Sequence, residues 1–165
     1  MIFVTVGTHE QGFERLVKKI DNLVEQGVIQ DKVFIQTGYT KYEPKYCEFA
    51  KFLGFEEMTN FYKNSSIIIT HGGPASFMGA IKLNKVPIVV PRLKQYNEHI
   101  NNHQLIFCKE VERRLGGIIL IEDVEQLKEV IMNYDKNSSE TMTFKYNNLN
   151  FCKGLDNIIN DLFGD

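Results

Sequence analysis

The segment His71–Ser76 has the composition of a phosphate-binding turn. It reads His-Gly-Gly-Pro-Ala-Ser and directly follows the apolar run Ile67–Thr70. The glycines leave room for a phosphate beside the backbone, and the proline places the unpaired N–H groups of a predicted helix next to them. We therefore expect this turn, with the hydroxyl of Ser76, to bind the phosphates of a ligand. The alternative is a tight turn that uses glycine only for its backbone freedom.

A second polar segment, Pro91–Gln104, follows the next apolar run, Pro87–Val90. Its amide, carboxylate and imidazole side chains, among them Glu98 and His99, suit the hydroxyl groups of a sugar. Loops that follow parallel strands meet at one edge of the sheet, so we expect this segment to lie beside His71–Ser76. An ordinary solvated loop followed by a capped helix is the alternative interpretation.

A third segment, Gly7–Gly12, follows the first apolar run, Ile2–Val6. The glycine and threonine that open it are placed to contact phosphates, and His9 or Glu10 could act as a general base near neutral pH. The threonine or the glutamate could instead cap the first helix. Gly38 ends the second predicted strand and joins these segments. The candidate ligand-binding residues are Gly7, Thr8, Gly38, His71, Gly72, Gly73, Ala75, Ser76, Glu98, His99, Asn102 and Gln104.

Composition and charge indicate one globular domain that does not bind nucleic acid. The chain has 165 residues, 43% of them hydrophobic, and a formal net charge of −2. Its three cysteines are far apart and are typical of reduced thiols in a cytoplasmic protein. No secretory signal opens the sequence, and no apolar run approaches the roughly 18 residues of a membrane span.

Motifs of several other nucleotide-binding classes are absent from the sequence. No Gly-x-Gly-x-x-Gly follows the first predicted strand, and there is no Walker-type loop, which argues against dinucleotide and NTPase sites. The sequence also lacks an Asp-x-Asp pair, which would hold a metal on a nucleotide diphosphate. We therefore expect a bound diphosphate to be stabilised without a metal or other cofactor, by backbone N–H groups and a helix dipole.

Apolar runs alternate with helical periodicity along the chain, which is typical of βαβ units and a parallel sheet. We predict an α/β fold, a three-layer Rossmann-like domain of about six parallel strands. Residues 1–133 form its ligand-binding part, and residues 134–165 add a polar tether and a C-terminal amphipathic helix to the same domain. The predicted strands are Ile2–Val6, Val33–Thr37, Cys47–Phe52, Ile67–Thr70, Pro87–Val90 and Ile118–Ile121, and the longest predicted helix covers Ile100–Leu115.

These motifs resemble the donor-binding half of glycosyltransferase family 28, whose members have a GT-B architecture. The likeness runs from Met1 to about Met132 and rests on three pieces, which are Val6–Thr8, Ile69–Gly73 and Glu98–Gln104. The His-Gly-Gly piece is widespread among GT-B enzymes, whereas the combination of all three is more specific. In particular, the chain is similar to the small catalytic subunits of bacterial two-part polysaccharide glycosyltransferases. Those subunits are in turn similar to the catalytic subunit of the eukaryotic enzyme that adds N-acetylglucosamine to a dolichol-linked sugar.

The resemblance implies that UDP-sugar is the donor. Its pyrophosphate would lie near Gly7-Thr8 and Gly72–Ser76, and its sugar would contact Glu98 and His99. In many relatives an acidic residue on the helix after the glycine pair holds the ribose hydroxyls, but the matching position here is Gly79. Another group must therefore hold the ribose, or the nucleotide is bound less tightly.

The resemblance also implies a function and a partner. We expect the catalytic subunit of an inverting, metal-independent hexosyltransferase that is active only with a membrane-associated, acceptor-binding subunit. It would transfer galactose in a β-1,4 linkage from UDP to a lipid-pyrophosphate-linked saccharide, in exopolysaccharide or capsule synthesis. The chain would work in the cytoplasm at the inner face of the membrane, and could self-associate without its partner. The alternatives are a UDP-N-acetylglucosamine transferase subunit and a non-catalytic UDP-sugar-binding adaptor.

Overall fold

A six-stranded, all-parallel sheet forms the centre of the molecule in the computed structural model, which describes residues 1–141 and 148–164. The strands lie in the order β3-β2-β1-β4-β5-β6. The chain therefore builds outward from β1 on one side, then returns to start the other side with β4, so the direction of winding reverses between β1 and β4. The strands are β1 (Ile2–Thr5), β2 (Val33–Gln36), β3 (Glu48–Ala50), β4 (Ile67–His71), β5 (Ile88–Val90) and β6 (Ile119–Leu120).

Helices cover both faces of the sheet, which confirms the predicted three-layer α/β fold. They are α1 (Glu14–Glu25), α2 (Phe55–Asn64), α3 (Pro74–Ile81), α4 (His103–Arg114), α5 (Leu127–Met132), α6 (Tyr134–Thr141) and α7 (Asn148–Phe163). Successive side chains of a strand point to opposite faces, and the apolar runs use both. In β1, Ile2 and Val4 pack into the cluster that contains α1 and α5, whereas Phe3 packs against α2. The continuous apolar composition of the strands follows from this double burial.

The region after α5 differs from the prediction. Residues Tyr134–Thr141 form a helix, whereas the polar composition of 134–143 predicted a loop or tether. Tyr134 packs against the core, and its hydroxyl donates a hydrogen bond to the Val86 carbonyl at 2.6 Å, so the start of the segment is fixed on the domain. The predicted tether was therefore wrong for residues 134–141, and residues 142 and 143 lie outside the described part of the chain.

The C-terminal helix α7 packs against α4. Its side chains Phe151, Leu155 and Ile158 are buried in the cluster that also contains Phe107 and Val111 of α4. The sequence left open whether this apolar stripe covers the core or docks on a partner. In the structure, the buried part of the stripe covers the domain's own core.

A buried carboxylate on α1 holds the segment between β2 and β3. Asp21 accepts hydrogen bonds from the Tyr42 hydroxyl at 2.7 Å and from the backbone N–H groups of Lys45 and Tyr46 at 2.9 and 2.8 Å. Burial alone would raise the pKa of Asp21, but these hydrogen bonds outweigh it and the pKa is lowered. The ionised form is therefore the one that stabilises the fold.

We expect Asp21→Asn to lower the free energy of unfolding by about 1–3 kcal/mol near neutral pH, because the amide keeps one accepting oxygen while its NH2 group faces a donor in place of the other. The lowered pKa makes the contribution of the carboxylate fully present above its ordinary pKa of about 4, and it is lost as the pH falls through the folded-state value. Urea denaturation at neutral pH and at about pH 3 measures both effects. The exposed Asp31, changed to Asn, is the control, and equal losses in the two variants would contradict this role.

Candidate ligand-binding site

A cavity of about 510 Å³ opens at the carboxyl edge of the sheet, where the winding direction reverses. This is the position at which open α/β sheets bind ligands. Two of the predicted segments, after β1 and after β4, form its walls, together with the end of β2 and residues that precede and begin α2. The cavity is lined by Thr5, Gly7, Thr8, His9, Gln36, Phe52, Leu53, Met58, His71, Gly73, Pro74, Ala75, Ser76 and Gln104.

The His71 ring is packed between two glycines. A Cβ on Gly7 would lie 2.5 Å from the ring's Nε2, and a Cβ on Gly73 would overlap Cε1. Gly7 also has a φ of +77°, which other residues rarely adopt, whereas the φ of Gly73 is an ordinary −76°. The two glycines are therefore required because the imidazole approaches their backbone closely. The sequence analysis had attributed this need for glycine to a bound phosphate.

Hydrogen bonds set the tautomer of His71, and burial keeps the ring neutral. Its Nδ1 accepts the N–H of Gly73 at 3.0 Å, so in the neutral ring the proton is on Nε2, which lies 2.9 Å from the Ser76 hydroxyl oxygen. Burial, with a smaller effect of the Arg92 guanidinium, lowers the pKa of His71 to about 4. His71 is thus neutral at physiological pH and donates to Ser76. The hydroxyl proton of Ser76 remains to be donated to a ligand in the cavity.

Few backbone N–H groups of the glycine turn face the cavity unpaired. The N–H of Gly72 donates to Oε1 of Gln104 at 3.1 Å, the N–H of Gly73 donates to His71, and Pro74 has none. Within the described part of the chain, the N–H of Ala75 has no acceptor. The predicted cradle of several N–H groups is therefore reduced to Ala75 and the Ser76 hydroxyl, because the fold itself uses the others.

On the other wall, Gln36 holds the Gly7 peptide from both sides. Its Oε1 accepts the N–H of Gly7 at 3.1 Å, and its Nε2 donates to the carbonyl of Gly7 at 3.1 Å. A Cβ on Gly38 would lie 2.5 Å from that same carbonyl oxygen. Gly38 thus lies behind Gly7 rather than at the cavity wall. Beyond Gly7, the exposed Thr8 has its hydroxyl and N–H unpaired among the described residues, so both are available to a ligand.

A buried arginine joins the loops after β1 and β5. Arg92 is 0% exposed, and its guanidinium donates to the carbonyls of Val6, Gln11, Gly12 and Glu98 at 2.7, 2.7, 3.1 and 3.1 Å. Burial lowers the pKa of Arg92 to about 10, so it stays charged at neutral pH. Sequence reasoning missed this residue. An arginine directly after a buried strand gives no signal that separates it from a solvated one.

Glu98 does not line the cavity, which corrects its predicted place beside the sugar. Its side chain is 3% exposed and forms a two-point ion pair with Arg15, at 2.9 Å for both contacts. One carboxylate oxygen also accepts the N–H of Leu93 at 3.0 Å. Because these partners occupy the carboxylate, Glu98 positions the loop after β5 rather than contacting a ligand directly.

The other predicted residues of this loop lie near the cavity or support it. The His99 ring packs on the ring of His9, with centroids 4.7 Å apart. Asn102 accepts the N–H of Lys94 at 2.8 Å, and so it stabilises the loop. Gln104 lines the cavity, and its Oε1 accepts the N–H groups of both Gly72 and Arg92 at 3.1 Å. This one amide oxygen thus joins the loops after β4 and β5.

The two candidate bases are placed differently. His9 lines the cavity, but its Nδ1 already accepts the N–H of Gln11 at 3.1 Å. Glu10 is exposed and is not part of the cavity wall. The geometry therefore favours His9 as a hydrogen-bond donor through its other nitrogen, and a catalytic role for either residue stays a prediction.

Gly79 faces a tyrosine from α2. A Cβ at this position would lie 3.0 Å from Cζ of Tyr62, whose hydroxyl donates to the Ser76 carbonyl at 2.8 Å. The space in which an acidic side chain would stand is therefore filled by the Tyr62 ring. Sequence reasoning also missed the apolar side of the cavity, formed by Phe52, Leu53 and Met58.

Comparison with known proteins gives the family. The family model of the glycosyltransferase family 28 C-terminal domain matches residues 1–159. The chain belongs to this family. It is also 27% identical, over 154 residues and 90% of its own length, to a protein of Clostridium tetani named UDP-N-acetylglucosamine–N-acetylmuramyl-(pentapeptide) pyrophosphoryl-undecaprenol N-acetylglucosamine transferase. The chain spans 39% of the length of that relative.

Two further findings concern membranes and metals. No helix within residues 1–141 and 148–164 has both the length and the apolar character needed to cross a bilayer. In the same part of the chain, no group of three or more histidine, cysteine, aspartate or glutamate side chains is placed to hold a metal ion.

We expect Gly73→Ala to lower the free energy of unfolding by about 1–3 kcal/mol, because the new methyl group must displace the His71 ring. The backbone of Gly73 suits alanine, so the effect is one of contact rather than of φ. Gly54→Ala is the matched control, since Gly54 also precedes a helix but its Cβ would meet only Glu57, at 3.4 Å. Urea denaturation measures both variants, and an unchanged Gly73→Ala protein would contradict the packing role of the glycine.

Proposed function

We propose that the chain is the donor-binding half of an inverting glycosyltransferase that transfers a hexose from UDP. The observation that carries the proposal is the cavity at the carboxyl edge, with the unpaired donors of Thr8, Ala75 and Ser76 on its two walls. These donors suit a diphosphate, and the apolar side formed by Phe52, Leu53 and Met58 suits a flat base. Family membership and the name of the Clostridium tetani relative support the same reaction class.

In the proposed reaction, an acceptor hydroxyl attacks the anomeric carbon in line with the departing UDP. The bond from that carbon to the β-phosphate oxygen breaks, and negative charge develops on the diphosphate. Ser76 and the Ala75 N–H, at the N-terminus of α3, would stabilise this charge. Adding EDTA to an assay of sugar transfer tests the sequence-based expectation that the reaction needs no metal ion.

A base must take the proton of the attacking hydroxyl. The Nδ1 of His9 is engaged by Gln11, and Glu10 is exposed outside the cavity, so neither is a ready acceptor. We propose that the base comes from a second, acceptor-binding half, in line with the chain's span of 39% of its relative. This half would also supply the lipid-linked acceptor and the contact with the membrane.

Two donor sugars are proposed. The relative's name favours UDP-N-acetylglucosamine, whereas the resemblance to polysaccharide subunits favours UDP-galactose. Radiolabelled transfer to lipid extract, with the chain alone and together with a co-expressed acceptor-binding half, distinguishes them. Transfer only in the presence of both halves is expected. UDP binding without transfer from either sugar would favour the non-catalytic adaptor.

We expect Ser76→Ala to weaken UDP binding about tenfold, because it removes a hydrogen-bond donor to a charged ligand. Isothermal titration with UDP measures the change. Ser66→Ala is the matched control, since Ser66 lies before β4 at the opposite edge and bonds to Met1. If UDP bound Ser76→Ala as tightly as it binds the unmodified chain, the phosphates would not lie against α3.

A further inference from the structure

Three histidines around the cavity each make the same kind of local hydrogen bond. In each, the ring Nδ1 accepts the backbone N–H of the residue two positions later in the chain. The pairs are His9 with Gln11 at 3.1 Å, His71 with Gly73 at 3.0 Å, and His99 with Asn101 at 3.3 Å. The loops after β1, β4 and β5 each contain one of these turns.

This contact decides which nitrogen of the ring carries the proton. A neutral imidazole has one N–H and one acceptor nitrogen, and both nitrogens are donors once the ring is charged. Because Nδ1 faces a backbone N–H, the neutral ring carries its proton on Nε2. Charging the ring would put a second proton on Nδ1, where it would face that N–H and break the turn. Each turn therefore makes Nε2–H the favoured tautomer of the neutral ring.

Burial and neighbouring cations disfavour a charge on two of the rings. Burial is the largest cause of the lowered pKa of His71 and of His99, and the buried Arg92 acts in the same direction on both. The rings of His9 and His99 pack against each other. Of the two adjacent carboxylates, Glu98 is paired with Arg15, whereas Glu10 is exposed.

We propose that His9 donates a hydrogen bond from Nε2 to the diphosphate, positioned by the turn to Gln11 and by the ring of His99. His9 lines the cavity, and with Nδ1 turned to the backbone, Nε2 is the nitrogen left to meet a ligand. The identity of the anion rests on the proposed function, whereas the nitrogen that faces the cavity rests on the geometry of this chain alone.

The first test needs no ligand. Nitrogen-15 NMR of the free, uniformly labelled chain distinguishes the two neutral tautomers and the charged ring for each histidine. We expect the neutral rings of His9, His71 and His99 to carry their proton on Nε2, with His103 as the internal comparison because its ring makes no such turn. A neutral His9 ring with its proton on Nδ1 would overturn the proposal.

The second test uses two substitutions that separate the two ring nitrogens. Asn places its oxygen near the position of Nδ1, so His9→Asn keeps the turn to Gln11 but loses the hydrogen-bond donor at the position of Nε2. Gln places its amide near Nε2, so His9→Gln keeps a donor for the ligand. With UDP as the probe in isothermal titration, we expect about a tenfold or larger loss of affinity for His9→Asn and a clearly smaller loss for His9→Gln. Thermal denaturation checks that both variants fold.

The outcomes separate this proposal from the proposed function. The reverse ranking of the two variants would overturn the role of His9 alone. Failure of UDP to bind the unmodified chain would overturn the proposed function, and the diphosphate contact with it, while the NMR result on the tautomers would stand.

Discussion

The buried guanidinium of Arg92 is the contact on which the carboxyl edge depends. Burying a cation is costly unless it is paired, and here four backbone carbonyls accept hydrogen bonds from its two Nη atoms and the ring of Phe13 lies against it, whereas its Nε has no partner among the described residues. The carbonyls belong to the loops after β1 and β5, so these loops cannot separate without leaving a charge unpaired in the interior. The position of His9 relative to His99 follows from that constraint.

The loop after β4 is tied to this frame by neutral groups. Gln104 bonds to the backbone of Gly72 and Arg92 with one oxygen, and the His71 ring fills the space between the Gly7 and Gly73 backbones. The site therefore presents hydroxyl, amide and imidazole donors to a ligand. The Arg92 guanidinium does not, because it binds backbone carbonyls inside the domain. Such donors hold an anion mainly through hydrogen bonds, which are strong where water is excluded. A departing diphosphate would then meet a preorganised wall rather than mobile cations.

The fold was predictable because its signal is repeated along the chain. The apolar runs of the central strands β1, β2, β4 and β5 are buried, and helical periodicity follows most runs, so the α/β topology and the edge that bears the site follow from the sequence pattern. The internal contacts of the site were not predictable in the same way. Glu98 and Arg92 are charged residues in a polar loop. Only the three-dimensional structure shows that the Glu98 carboxylate pairs with Arg15 and that the Arg92 guanidinium binds backbone carbonyls inside the domain. The helix at Tyr134–Thr141 was missed because a tertiary contact of Tyr134 outweighs the polar composition that follows it.

The contact between Tyr62 and Gly79 couples two positions of the chain. A side chain at position 79 requires the ring opposite to shift or to become smaller, and a smaller residue at 62 alone would leave a void beside α3. Either change alone costs stability, whereas the pair together need not. The residue that position 79 can hold is therefore tied to the size of the side chain at position 62.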